Sequence, residues 1–234
     1  MPSETSLLVS PKGGRAVMNR RLDPADSLDF FPTPPWATRA LLTHVIPDAI
    51  GMCWEPAAGE GHMAEVLREH FERVHASDIH DYGRGYAVGS FAGRTDVPQA
   101  PARCPVVPDW IITNPPFNGA VDFALRARGE ARRGVALLVR LNWAEGERRY
   151  TRLFRDTPPS TIAQFVERVA MVKGRWEPDA STMTAYAWFV WDRTCTPNTT
   201  IFKFIPPGCR QRLTRPDDVE KFSARVATEK ETTP

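Results

Sequence analysis

The sequence predicts an α/β chain built on a doubly wound, mostly parallel sheet that ends in an antiparallel edge hairpin. Three observations lead there. Apolar runs alternate with segments of helical periodicity from Pro35 to Trp143. Two of those runs, "DWIIT" and "GVALLVRLNW", are apolar nearly throughout, as strands covered on both faces must be. After Trp143 the alternation gives way to two extended stretches, "TIAQFVERVAMV" and "TAYAWFVWD", separated by a polar loop from Lys173 to Met183.

Taken in order, residues 1–29 are polar and read as a flexible arm. From Pro35 the spacing of Trp36, Ala40, Leu41, Val45 and Ile46 predicts a helix, with Pro34 and Pro35 at a tolerated start. Met52 to Trp54 is a short strand that runs into a glycine-bearing turn. Met63, Val66, Leu67, His70 and Phe71 then resume helical spacing. "RVHASDI" is a second strand, ending in Asp78; "DWIIT" and "GVALLVRLNW" are the third and fourth. Residues 145–156 are charged and helical, and the two later stretches pair as the hairpin at the sheet edge. The working domain therefore spans 30–205, and 206–234, with Pro206, Pro207 and Pro216 and a charged end, is expected to be a poorly ordered tail.

Composition sets outer limits. A chain of 234 residues supports one substantial core. With 42% hydrophobic and 25% charged residues it has the balance of a globular protein, and a net charge of +2 leaves any basic surface local. Cys53, Cys104, Cys195 and Cys209 are widely spaced, which favours reduced thiols over a zinc knuckle or disulfide framework. The five histidines show no ligand spacing, so no metal is expected. No apolar run suits a membrane span or signal peptide, and the expected location is cytoplasmic.

In "EPAAGEGH", Gly59 and Gly61 fall between the first strand and its helix, where such sheets bind ligands. Glycine allows close backbone approach there, although a bare GxG also serves an ordinary turn. Asp78, about 20 residues on at the next strand's end, adds the acceptor that a ribose needs. Position 64 is Ala, so the full dinucleotide pattern is missing, and no GK[ST] follows. A ligand with adenosine but no phosphate, such as S-adenosylmethionine, fits better than NAD or ATP. Glu55 would disfavour a phosphate and suit the cationic amino end of a methionine moiety; capping or pairing with an arginine is its alternative.

"NPPF" follows on the same rim. Together "FFPTPPW" (30–36), "EPAAGEG" (55–61), "SDI" (77–79), "DWIITNPPF" (109–117) and "YAWFVWD" (186–192) resemble the adenine-specific amino DNA methyltransferases of prokaryotes and their phages, over roughly residues 30–192. The resemblance implies a Rossmann-like class I methyltransferase that uses S-adenosylmethionine to methylate N6 of adenine in DNA. The side-chain carbonyl of Asn114 and the backbone carbonyl of Pro115 would accept the amine's N–H groups, so that charge accumulates on nitrogen. Pro115 and Pro116 fix the backbone that aims them, and Phe117 would stack on a flipped base, with Asn118 beside it. Phe31, Thr33 and Pro34 would close over the methionine end; Ala57, Gly59, Gly61 and Ile79 would contact the cofactor. Family members usually carry Asp before the Phe of "VGSFAG", where this chain has Ser90 before Phe91; a hydroxyl accepts a hydrogen bond more weakly.

Between Gly119 and Arg155 nine arginines (126, 128, 132, 133, 140, 148, 149, 152, 155) face four acids (122, 130, 145, 147), a surplus suited to phosphate or to a solvated helix face. Arg148 and Arg149 are the strongest candidates. Lys173, Arg175 and Trp176 suit an unstacked strand, with burial of Trp176 under its own loop the equal alternative. No segment is large enough for a separate target-recognition region, so recognition is expected to be short, or directed at single-stranded or partner-presented DNA. RNA adenine, a protein glutamine side chain, or a silent nucleic-acid-binding subunit are the rival readings.

Overall fold

The computed structural model describes residues 29–92 and 99–222. The arm through residue 28 and the tail from residue 223 lie outside the described residues. Eight strands form one sheet in the order β3-β2-β1-β4-β5-β7-β6-β8. They are β1 (Met52–Glu55), β2 (Arg73–Asp78), β3 (Ala87–Val88), β4 (Trp110–Thr113), β5 (Gly134–Arg140), β6 (Thr161–Phe165), β7 (Tyr186–Asp192) and β8 (Ile201–Ile205). Only β7 runs against the rest: it pairs antiparallel with β5 and with β6, while every other pairing is parallel.

The helices are α1 (Pro35–His44), α2 (His62–Leu67), α3 (Ala120–Glu130), α4 (Glu147–Arg149), α5 (Cys209–Leu213) and α6 (Asp218–Phe222). Two apolar layers explain the near-continuous strand sequences. Trp110 and Ile112 of β4, with Ala136 and Leu138 of β5, join the core built with Trp36, Leu41 and Leu67 of α1 and α2. Their alternates Ile111, Val135, Leu137 and Val139 join Phe123, Ala127, Trp143 and Leu153 on the other face. Period-two alternation under two covered faces yields an apolar residue at every position.

Several boundaries differ from the sequence expectation. β5 stops at Arg140, and Leu141–Ala144 tightens into a 3-10 turn, because the chain must leave the sheet there. The charged segment is helical, but beyond α4 it widens into a π turn, Tyr150–Phe154, closed by Arg155 N–H donating to the Tyr150 carbonyl at 2.8 Å. β6 ends at Phe165, so the loop to β7 is longer than the polar composition alone indicated. The hairpin partners pair as expected, yet they are not the edge: β7 lies inside the sheet, and β8, to which the sequence reading assigned no element, forms the edge beside β6.

The expected tail from 206 also departs from its reading, since 209–222 carries α5 and α6. Asp218 of α6 is fully buried and bonds both terminal nitrogens of Arg39 from α1 at 2.7 Å. Arg39 also holds Glu69 (2.8 and 2.9 Å) and the Leu213 carbonyl (2.7 Å). A charge buried this way needs its partners in place, so both helices are anchored to α1.

Candidate active site

The sheet's winding reverses between β1 and β4, and their carboxyl ends diverge there to leave a crevice. A cavity of about 380 Å³ occupies it. Among the predicted positions it gathers Phe31, Thr33, Glu55, Ala57, Asp78 and Ile79. Ser90, Phe91, Asn114, Pro115, Pro116 and Phe117 complete its lining.

The glycines act one layer back. Gly59 (φ +52°) and Gly61 (φ +92°) hold left-handed backbone, and a Cβ on either would run into the ring of Phe30 or the hydroxyl of Tyr86. They shape the turn through the protein's own packing, and the wall itself is made by Ala57 and Ala58. Gly59 N–H donates to Asp78 Oδ2 at 2.8 Å, and His80 N–H to Oδ1 at 2.9 Å. Burial pushes the Asp78 carboxyl up, against the pull of those amides.

Glu55 ends β1 at 1% exposure. Its Oε1 takes the Ala57 amide at 3.3 Å, while Oε2 is buried beside the Thr113 hydroxyl, the two too poorly aligned to satisfy each other. Burial pushes this carboxyl up to about 8; the Thr113 hydroxyl and the Ala57 amide oppose the rise, and Asp78 adds to it. An orphaned carboxylate oxygen on a cavity wall fits a cationic group.

Asn114 follows β4. Its Nδ2 donates to the Phe31 carbonyl (2.9 Å) and to Thr33 Oγ1 (3.1 Å), and also contacts Met171 Sδ at 3.5 Å. A backbone carbonyl can only accept, so the amide nitrogen must face Phe31 and Oδ1 is left as the acceptor. The strap 29–34 that orients it spans both halves of the site. Phe30 packs on Tyr82 (4.9 Å between centroids) over the glycine turn, Phe31 leans on Phe117 (5.2 Å), and Asp29 Oδ2 accepts Phe117 N–H at 2.9 Å. The β6–β7 loop holds the strap through Gly174 N–H to the Phe30 carbonyl, 2.9 Å.

Other predicted residues stand elsewhere. Pro34 is buried at the start of α1, and Asn118, Arg148 and Arg149 do not line the cavity. Ser90 lines it at 2% exposure, held by its backbone to Ala100 and Ala102. Trp176, expected to grip a strand, is instead buried at 5%, packed on Val66 and on Phe222 of α6, because a large ring gains more from that apolar niche than from water. Arg175 is taken up by Glu177.

Of the arginine surplus, Arg126 clamps the carbonyls of Ser90, Phe91 and Ala102 and pairs with Glu130. Arg132, Arg152 and Arg155 pair with Asp109, Asp122 and Asp156. Sequence reasoning missed His62, whose Nε2 bonds the Phe222 carbonyl at 2.9 Å while Nδ1 is buried without a partner on the cavity wall. Burial pushes its pKa down to about 4, so it is neutral. A lone histidine beside a glycine turn carries no spacing signal.

Among the described residues no helix is long and apolar enough to cross a membrane, and no group of three His, Cys, Asp or Glu side chains is placed to hold a metal ion. No model of a known family matches the chain, and no curated protein matches it. Solved structures do. A modification subunit of a proposed type I restriction enzyme from Vibrio vulnificus superposes with a TM-score of 0.51 at 15% identity, covering 82% of this chain and 51% of that one. A type I restriction-modification methyltransferase subunit from Streptococcus thermophilus gives 0.50 at 8%, covering 73% and 45%. The chain spans about half the length of these two proteins. With its strand order and single reversed strand, it has the Rossmann-like fold of class I S-adenosylmethionine-dependent methyltransferases.

Proposed function

We propose that this chain transfers a methyl group from S-adenosylmethionine to N6 of adenine in DNA. The observation that carries the reading is the pinned amide of Asn114, whose nitrogen is committed to Phe31 and Thr33 and whose oxygen is thereby available as an acceptor beside the cavity. An aromatic amine is a poor nucleophile because its lone pair is delocalised into the ring. Two fixed acceptors, Asn114 Oδ1 and the Pro115 carbonyl, draw on its N–H bonds and stabilise the charge that develops at nitrogen, with no reorganisation at the moment of reaction. The prolines and the strap keep those acceptors in place.

The cofactor, when bound, supplies the electrophilic methyl group. Glu55 would hold its ammonium, Asp78 its ribose hydroxyls, Ile79 and Ser90 its adenine, and Phe31, Thr33 and Ala57 would enclose its methionine end. The orphaned Glu55 oxygen supports that assignment. The test is transfer of labelled methyl to duplex DNA, single-stranded DNA, RNA and a protein extract. Label recovered as methylated adenine in DNA, reduced about 10²–10³-fold in Asn114→Ala, is the expected result. Label confined to RNA or protein would replace the substrate and keep the acceptors; no label anywhere, without cofactor binding, would favour a silent nucleic-acid-binding subunit.

A further inference from the structure

Arg140 ends β5, beside β4 on the rim of the site, and is exposed. Its guanidinium carbon lies 4.2 Å from the centroid of the Phe117 ring, and one of its five N–H donors is directed to its cross-strand neighbour, the buried Tyr186, which leaves the others for a ligand. Among the described residues no carboxylate forms a salt bridge with it, whereas Arg126, Arg132, Arg152 and Arg155 are each neutralised. Asp29 is the acid of this neighbourhood, and its Oδ2 is taken by the Phe117 amide. Arg148 and Arg149 also lack carboxylate partners, but they do not border a residue of the NPPF turn.

A guanidinium seated over an aromatic ring uses its face and keeps its N–H donors at the edge, in the fork that matches a phosphate. An extruded base enters a pocket while its phosphates stay at the mouth. A cation resting on the ring at that mouth is therefore within reach of the backbone of the same nucleotide. A glutamine side chain brings no such charge. Resting on the function proposed above, we propose that Arg140 contacts a phosphodiester flanking the target adenine, so that the site takes adenine as part of a polynucleotide.

Binding by fluorescence anisotropy tests this, using short single-stranded oligodeoxynucleotides with one adenine whose flanking linkages are either phosphodiester or neutral methylphosphonate. The proteins are wild type, Arg140→Lys and Arg140→Met, the last keeping apolar cover on Phe117. Neutral linkages should weaken wild-type binding about tenfold. Arg140→Met should lose as much on the charged strand, lose nothing more on the neutral one, and show a slope of log Kd against log salt lower by about 0.7. Arg140→Lys should retain part of the discrimination. Losses that multiply, or neutral linkages without effect, would overturn the proposal. Methyl transfer to the same strands is scored separately: coupling without transfer removes the methyltransferase reading and keeps the phosphate contact, and transfer without coupling does the reverse. Failure of wild type to bind any strand overturns the phosphate contact, while the methyl-transfer reading is decided by the duplex assay above.

Discussion

Replacing Glu55 by glutamine should make the protein more stable and its site weaker. The carboxyl rises from 4.5 to about 8 on burial in the folded chain. Between those two values the unfolded chain is ionised while the folded one holds its proton, so wild-type stability falls as pH rises through that window and is not penalised below it. At about 1.4 kcal/mol per pH unit the loss reaches about 5 kcal/mol as an upper bound, and about 2 is a fair floor once water penetration is allowed for. Glutamine keeps the acceptor for Ala57 N–H and offers a donor to the orphaned Thr113 hydroxyl. Urea denaturation from pH 5 to pH 9 should therefore give a flatter curve for Glu55→Gln, meeting wild type near pH 5 and exceeding it by at least about 2 kcal/mol at pH 8. Calorimetry should show S-adenosylmethionine binding wild type with proton release near pH 7, and binding the variant at least about tenfold more weakly without it. Parallel stability curves would refute the reasoning, because they would mean that Glu55 is hydrated in the folded chain.

Further outcomes follow from the same geometry. Gly61→Ala should cost about 1–3 kcal/mol in thermal unfolding, since φ +92° is strained for alanine and its Cβ displaces the Tyr86 hydroxyl from Glu65. Arg39→Leu strips the fully buried Asp218 of its cation and should cost about 3–5 kcal/mol, part of which returns in Arg39→Leu with Asp218→Leu. Trp176→Ala should destabilise by about 3–5 kcal/mol and leave the salt dependence of oligonucleotide binding unchanged; a reduced slope would restore Trp176 and its loop to the nucleic-acid surface.

β4 and β5 could be read from sequence because both their faces are covered, which leaves no polar position to confuse them with coil. β8 could not: Phe202 and Phe204 point to solvent at 51% and 61% exposure, and five residues framed by threonines and prolines carry too little pattern. α6 is equally short, and what holds it is an ion pair across 179 positions, a contact that no local periodicity encodes. Among the site residues, Glu55, Asp78 and Asn114 sit at strand ends where the topology opens, so their residue types were informative by position. Phe31 and Thr33 rested on resemblance, and the bond that gives them meaning, from Asn114, spans more than 80 residues. Four of the nine arginines counted as a basic surface, Arg126, Arg132, Arg152 and Arg155, turned out to be paired, because composition does not reveal which acids fold back onto them.

The Arg39 clasp carries a kinetic consequence. α1 lies near the start of the described chain, yet the carboxylate that neutralises its arginine arrives 179 residues later. A ribosome synthesising the chain exposes α1 long before α6 emerges, and closing so long a loop is slow. Glu69, 30 residues away, is available in the interval as a provisional counter-charge. The final locking of α1 is thus expected to wait for α6, after Glu69 has held the arginine alone.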